Sequence, residues 1–384
     1  MTPLRPADNF GLRLAAFYGC LFLIPGIQMP FFPLWLKARG LDSEAIGIIL
    51  ATPVVVRIFA VPVLNRAIDR AGKIRGGMIA AAFAGAFGFS IVGISHGFVA
   101  IMFAVALAAL VTGPLMSLAD AYALKGLNAR KRAYGPIRLW GSAAFIAANI
   151  GGGMLLTAIA VEDLIWLVAA GFVLLGAAAL WLHPLEPRPV ADADSKTLKG
   201  HLWQSPQFLA IAAAAGLIQA SHAMYYVFSA VDWTAKGIGS TTVGALWGLG
   251  VAVEIALFAI SGRLRLSPIA FVTIGAVGAV VRWIAMAFDP PMAVLALTQC
   301  LHGISFGATH LGAIQFIARA AGDKQAAAAQ GDFSTILAIA MAAAAAASGL
   351  LYNEFGDLGY IVMAATAALG GLCLIPVART GQSR

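Results

Sequence analysis

Apolar runs of about 20 residues recur from one end of this chain to the other, and each is long enough to cross a bilayer core of about 30 Å as a helix. Inside lipid every backbone N–H and C=O must be satisfied within the segment or its bundle, so a chain made of such runs folds as packed helices. Twelve runs can be set out, near 10–36, 44–65, 76–95, 98–124, 137–160, 164–183, 207–231, 242–262, 268–288, 292–317, 331–352 and 359–377. Only 11% of the residues are charged while 61% are apolar, against about 25% charged in a soluble domain. The expected fold class is an all-α membrane protein with twelve transmembrane helices.

A formal charge of +8 and a pI near 9.6 raise the question of a polyanionic partner. The placement of the charges answers it. With the N-terminus inside, only Lys37, Arg39 and Lys236 fall on the outer side, and Arg57 and Arg282 are embedded. The remaining Lys and Arg residues fall on the cytoplasmic side, as the positive-inside rule requires. The expectation is a multi-pass protein of the cell (inner) membrane with both termini cytoplasmic, the lipid bilayer as its surroundings and no nucleic-acid partner. The first apolar run is too long for a signal peptide and lacks a small-residue cleavage site. Cys20, Cys300 and Cys373 are far apart in apolar runs and read as buried free thiols, with no metal site.

His183 to Gln204 is the longest polar stretch, with three prolines and alternating charges. It divides the chain into an N-terminal six-span half, 1–183, a cytoplasmic linker, 184–206, and a C-terminal six-span half, 207–384. The halves read as copies. A shift of 197 places Arg39-Gly40-Leu41 on Lys236-Gly237-Ile238, Ser43 on Ser240, Gly47 on Gly244, Arg66 on Arg263, and embedded Arg57 on embedded Glu254. Parallel six-span repeats with a midplane site between them are a secondary-transporter plan.

The loop after the second run reads Asn65-Arg66-Ala67-Ile68-Asp69-Arg70-Ala71-Gly72-Lys73 and resembles the G-x-x-x-D-R-x-G-R/K signature of the major facilitator superfamily, with Asn65 where glycine is usual. Asp69, Arg70 and Gly72 are then the conformational loop motif. The stretches Ile46–Arg57, Tyr134–Ser142 and Gln219–Tyr226, with Leu301-His302-Gly303, resemble the phenylpropionate permease branch, itself similar to the lactose permease and the nucleoside proton symporters. The resemblance covers nearly the whole chain. It implies the major facilitator fold, two pseudo-symmetric six-helix bundles, and a secondary active transporter working by alternating access.

An ionised group in hydrocarbon costs roughly 2.5–3.5 kcal/mol even on the mild insertion scale, so each embedded charge asks for a reason. Asp120 and Arg138 flank one short loop at similar depth. By resemblance to the lactose permease they are a substrate-binding acid and arginine, with Ser142 and Phe145 following; the alternative is a salt bridge clamping two helices. Arg57 and Glu254 sit mid-span on symmetry-related helices. Arg57 is expected to bind substrate and Glu254 to carry the proton, because burial favours the neutral acid and a nearby arginine the carboxylate. The resemblance places Arg282 and His302 in the proton-coupling network, but Ser305 stands where that permease has its proton-carrying glutamate. His222, beside Tyr225 and Tyr226, is a further substrate-binding candidate, or an ordinary hydrogen-bonded bundle residue. Asp232 and Asp332 lie at span ends and suit interfacial anchoring or capping.

The expected function is proton-coupled symport of a small organic solute such as an aromatic carboxylate. Arg57, Arg138 and Arg282 suit its carboxylate, and Phe31, Phe32, Tyr225 and Tyr226 its apolar body. A sugar or nucleoside symporter is the alternative, since an acid beside an arginine suits hydroxyls, and exchange or efflux fits the same plan. No Walker, HExxH or GxSxG pattern occurs, so an enzyme, an ATP-driven pump and a cofactor are not expected. The short linker and tails leave no room for a sensor's output domain. The chain is expected to work as a monomer.

Overall fold

The computed structural model describes residues 9–185 and 205–379, for 321–328 and 378–379 the backbone alone. The 184–206 linker therefore lies almost wholly outside the described residues. Among those described, the regular structure is entirely helical. Ten segments are long and apolar enough to cross a membrane. The sequence reading of twelve separate spans differs in two places. The 137–160 run is helical as Gly135–Leu155 and falls outside those ten, and residues from Ala329 to Val377 count as one segment.

The chain forms two compact units. The first runs to Gly40, resumes at Val56 and takes in Gly239–Gly244; the second takes Leu41–Val55, runs on to Ile238 beyond the linker, and resumes at Ala245. In the first unit lie α1 (Phe10–Ala38), most of α2 (Ser43–Arg70), α3 (Ile74–Ile94), α4 (Phe98–Thr112), α5 (Leu115–Asn128), α6 (Gly135–Leu155) and α7 (Leu164–Trp181). Helix α1 packs along α6 and α7, and α3 along α7, α4 and α5. Close approach is made by small residues. A Cβ at Gly26 of α1 would lie 2.8 Å from the Phe145 carbonyl of α6, and one at Gly85 of α3 2.7 Å from the Phe172 ring of α7. Phe10, Leu14, Phe17, Tyr18, Phe31 and Trp35 fill the interior. Phe31 and Phe32 are thus buried in the core of this unit. Phe32 stacks on Trp35, and Phe31 packs against Gly152.

The second unit holds α8 (Pro206–Ala220), α9 (Ala223–Ala235), most of α10 (Ser240–Ser261), α11 (Pro268–Met286), α12 (Met292–His302), a π-helical turn at Gly303–Ala308, α13 (Thr309–Phe355), α14 (Gly359–Leu372) and α15 (Ile375–Arg379). Two of these helices begin on the same device. Ser205 and Ser267 cap them by accepting from Phe208 N and Ala270 N at 3.3 and 3.1 Å, and a proline follows at the first helical position, where its missing N–H costs nothing. Helix α13 has 47 residues, where the sequence reading leaves a loop between 317 and 331. Its Ala, Gln, Arg and Lys there are strong helix formers, so nothing interrupts the backbone bonding. At about 70 Å it is longer than one bilayer core of about 30 Å.

The internal repeat has a structural counterpart. Helices α1 and α9 end alike. The N–H groups of Arg39 and Gly40 bond to Trp35 and Lys37, those of Lys236 and Gly237 to Asp232 and Thr234, all at 3.0 Å, and each pair differs by the same 197. Gly40 and Gly237 take φ of +78° and +85°, a left-handed conformation that glycine adopts without strain. The following helices start at Ser43 and Ser240. Four residues on, Gly47 lies in the second unit against the carbonyls of Ala345 and Ala346, and Gly244 in the first against that of Asn149. Ala346 and Asn149 are again 197 apart.

Candidate functional site

In the first unit, Asp120 of α5 is half-buried and held by two phenols. The hydroxyls of Tyr18, from α1, and Tyr134, just before α6, donate to the same Oδ1 at 2.6 and 2.7 Å. Burial, together with the Asp120 carboxylate, pushes the Tyr134 hydroxyl above the ordinary phenol range despite its bond to Tyr18, so it stays protonated and donating. Arg138 turns elsewhere. Its guanidinium lies over the Phe22 ring at 3.9 Å and near the Tyr18 ring at 5.5 Å. The alternative of an Asp120–Arg138 salt bridge is therefore not formed; Tyr18 is bonded to the one and faces the other. Ser142 and Phe145 follow on α6, both half-buried. Phe145 meets α1 through its backbone at Gly26.

Arg57, on α2, is exposed, with only its aliphatic stem near the Gly113 position. Among the described residues it has no ion pair or hydrogen-bond partner. In the signature loop, Gly72 turns with φ +63° and donates its N–H to the Asp69 carbonyl at 2.9 Å. Asp69 and Arg70 are exposed. Asn65, where the signature has glycine, donates to Ser117 Oγ of α5 at 2.7 Å and so ties α2 to α5.

The second unit buries a denser polar cluster. Arg282 of α11, with 0% exposure, donates to His302 Nδ1 and to Gln299 Oε1, both at 2.9 Å. Its guanidinium lies 4.3 Å from the Tyr225 ring centre and 4.5 Å from that of Trp283. His222 Nδ1 donates to the Ile218 carbonyl at 3.0 Å, and its Nε2 lies 2.9 Å from Ser305 Oγ, which also reaches the His302 carbonyl. The π-helical turn, a feature that often marks functional sites, carries Ser305 and Phe306 into this cluster. Tyr225 stacks on Trp247 at 4.9 Å, and Tyr226, partly exposed, adjoins both His222 and His302. Sequence reasoning named Arg282, His302, His222, Tyr225 and Tyr226 but missed Gln299, Trp247, Trp283 and Phe306. Gln299 had a signal, since it precedes His302 by three on one helix and so shares its face. Glu254 of α10 is half-buried with no ion pair or hydrogen bond among the described residues.

At the end of α9 one ammonium holds three acids. Lys236 Nζ contacts Asp232 at 3.0 Å, Asp289 at 2.8 Å, and Asp357. Tyr352 reaches the same Asp232 from α13. Asp232 is thus an ion-paired end residue, as its position suggested. Cys20, Cys300 and Cys373 are free, though half-buried and not fully so.

Known proteins resemble the chain over most of its length. The profile of the MFS_1 like family matches residues 12–360. A protein of Escherichia coli (strain K12) named "Probable 3-phenylpropionic acid transporter" is 32% identical over 320 residues, 81% of this chain and 83% of that one. The "Maltose permease" of Geobacillus stearothermophilus is 28% identical over 332 residues, 83% of this chain and 82% of that one. The crystal structure of the nucleoside transporter NupG superposes with a TM-score of 0.84 at 16% identity, covering 97% of this chain and 99% of the other. A bacterial homolog of the human lysosomal transporter Spinster gives a TM-score of 0.74 at 12% identity over 97% of each chain. At these identities the two structures speak for the fold alone.

Proposed function

The chain belongs to the MFS_1 like family of the major facilitator superfamily, whose members are multi-pass membrane transporters and not enzymes, and from that premise we propose that it carries a small aromatic carboxylate together with a proton by alternating access. One observation carries the substrate class. Arg282 is fully buried in an apolar helix and touches no carboxylate among the described residues, with half-buried Arg138 likewise free of one. A guanidinium keeps its charge and is costly to leave unpaired in a low-dielectric interior, so such an interior favours an anionic solute. The aromatic side chains around Arg138 and Arg282 suit a ring on that solute. The relative named for 3-phenylpropionic acid is consistent with this class.

Glu254 is the proposed proton carrier, a mid-helix carboxyl with no hydrogen-bond or ion-pair partner among the described residues. Asp120, Arg138, Arg57, Ser142, Phe145, His222, Tyr225 and Tyr226 are proposed to meet the solute. The protein is placed by this reading in the cell (inner) membrane, as a monomer with cytoplasmic termini. A second reading, a sugar or nucleoside symporter, draws on Asp120, whose two phenol partners leave its Oδ2 outside the described bonds and open to a solute hydroxyl. Ligand-induced thermal stabilisation separates the two readings, because a solute that binds only the folded protein raises its apparent stability. Purified protein should be stabilised by arylalkanoates and left unchanged by maltose, lactose or uridine; the opposite pattern selects the second reading.

A further inference from the structure

Arg282 is completely buried, yet everything it touches is neutral. Its Nη1 donates to His302 Nδ1 and its Nη2 to Gln299 Oε1, while its buried Nε has no partner at all. Tyr225 and Trp283 offer it ring faces. Arginine can only donate, so His302 accepts on Nδ1 and carries its proton on Nε2 as a neutral ring. His222 donates from Nδ1 to the Ile218 carbonyl and meets on Nε2 the hydroxyl of Ser305, a group that can donate or accept. The described ion pairs of this unit all belong to Lys236. Among the described residues the cluster therefore holds the Arg282 charge, a set of dipoles and aromatic faces, and no carboxylate bonded to that charge, with the Glu254 side chain beside the turn at Gly307.

Dipoles and ring faces solvate a guanidinium only in part, whereas a carboxylate matches its planar fork with two parallel charge-assisted bonds. Gln299 and His302 each take one arm of that fork with a single neutral acceptor. We propose that Arg282 seats the carboxylate of the transported solute, with Gln299 and His302 holding the guanidinium until the anion displaces them. The inference rests on the reading of the solute as an aromatic carboxylate and names its seat. Trp247, Tyr225 and Phe306 stand around the cluster as surfaces for the solute's ring. Tyr226 and Phe306 are partly exposed while Arg282 and Gln299 are fully buried, so the anion reaches its seat past these two rings. Arg138 is less suited, being already seated on Phe22.

The test measures binding of 3-phenylpropanoate and of its neutral amide to full-length protein in lipid nanodiscs. In Arg282→Gln, carboxylate affinity should fall at least about tenfold while amide affinity holds, since only the acid uses the charge. Arg282→Lys keeps the charge, loses the fork, and should fall between the two. Gln299→Leu removes a competitor for Nη2 and should bind the carboxylate several-fold more tightly, which a merely structural Gln299 would not do. A monodisperse Arg282→Gln protein that binds the acid as well as wild type overturns the seat. So does a Gln299→Leu protein with unchanged or weaker acid binding. If acid binding is lost in Arg57→Gln or Arg138→Gln instead, the seat is wrong and the carboxylate reading stands. If wild type binds neutral solutes and no carboxylate, that reading falls and the seat with it.

Discussion

Tyr18 donates its hydroxyl to Oδ1 of Asp120 at 2.6 Å, so the acid of α5 is anchored to α1 and not to Arg138. A hydrogen bond to a charged group contributes about 1.5–3 kcal/mol. Tyr18→Phe should therefore destabilise the first unit by roughly that amount, less whatever Tyr134 retains. Asp120→Asn and Arg138→Gln should act almost independently, with a coupling energy under about 0.5 kcal/mol. A double-mutant cycle from thermal or urea unfolding in mild detergent measures it. A coupling of several kcal/mol would mean that the two side chains pair directly.

Gly47 and Gly244 each admit a neighbouring helix backbone where a side chain would stand. A Cβ at Gly47 would lie 2.8 Å from the Ala345 carbonyl oxygen, and one at Gly244 falls inside van der Waals contact of the Asn149 carbonyl. Backbone cannot rotate away, so Gly47→Ala and Gly244→Ala should each cost about 1–3 kcal/mol. Gly151 of α6 has nothing within 4 Å of its added Cβ. Gly151→Ala should instead stabilise the helix by about 0.5–1 kcal/mol. Melting temperatures of the three purified variants settle the comparison, and equal effects at all three would refute it.

These contrasts show what the sequence makes legible. Apolar runs and positive-inside charge follow from transfer free energy residue by residue, so helical membrane architecture can be read without a partner in view. The repeat can be read too, because Arg39-Gly40 and Lys236-Gly237 end their helices by the same local bonds. Long-range side-chain choice cannot. Asp120 and Arg138 look like partners in sequence, but Tyr18, 102 positions away from Asp120, takes the acid. The resemblance brings Arg282 and His302 together, but the bond from Arg282 to Gln299 is seen only in the fold. The unbroken α13 was obscured for another reason. Its polar stretch near 318–330 reads as loop by hydropathy, although its composition favours helix.

Lys236 should make stability depend on pH once it is removed. Desolvation alone would lower the pKa of this ammonium, but Asp289, Asp357 and Asp232 outweigh it and hold the group above the ordinary lysine range. A raised folded value means the stabilisation is fully present below the unfolded lysine pKa of about 10.4 and is lost only as pH climbs through the folded one. Wild type should therefore keep this clasp from neutral pH to about pH 10. Lys236→Gln leaves the three carboxylates facing one another. It should lose about 1–3 kcal/mol at pH 8, between the values for exposed and buried pairs, and recover most of it as they protonate toward pH 4. Unfolding midpoints across that range check it, and a deficit independent of pH contradicts it.

The central claim, that this chain couples a proton to an aromatic carboxylate, is tested most directly by uptake into proteoliposomes of purified protein. Radiolabelled 3-phenylpropanoate should accumulate above equilibrium when the lumen is alkaline to the medium, and the accumulation should collapse when a protonophore is added. Glu254→Gln should abolish that accumulation while retaining exchange of labelled for unlabelled solute across equal pH. Accumulation by Glu254→Gln equal to wild type would remove Glu254 from the proton path. Equilibration of the carboxylate without any response to the pH gradient, or gradient-driven uptake of maltose or uridine in its place, would contradict the account itself.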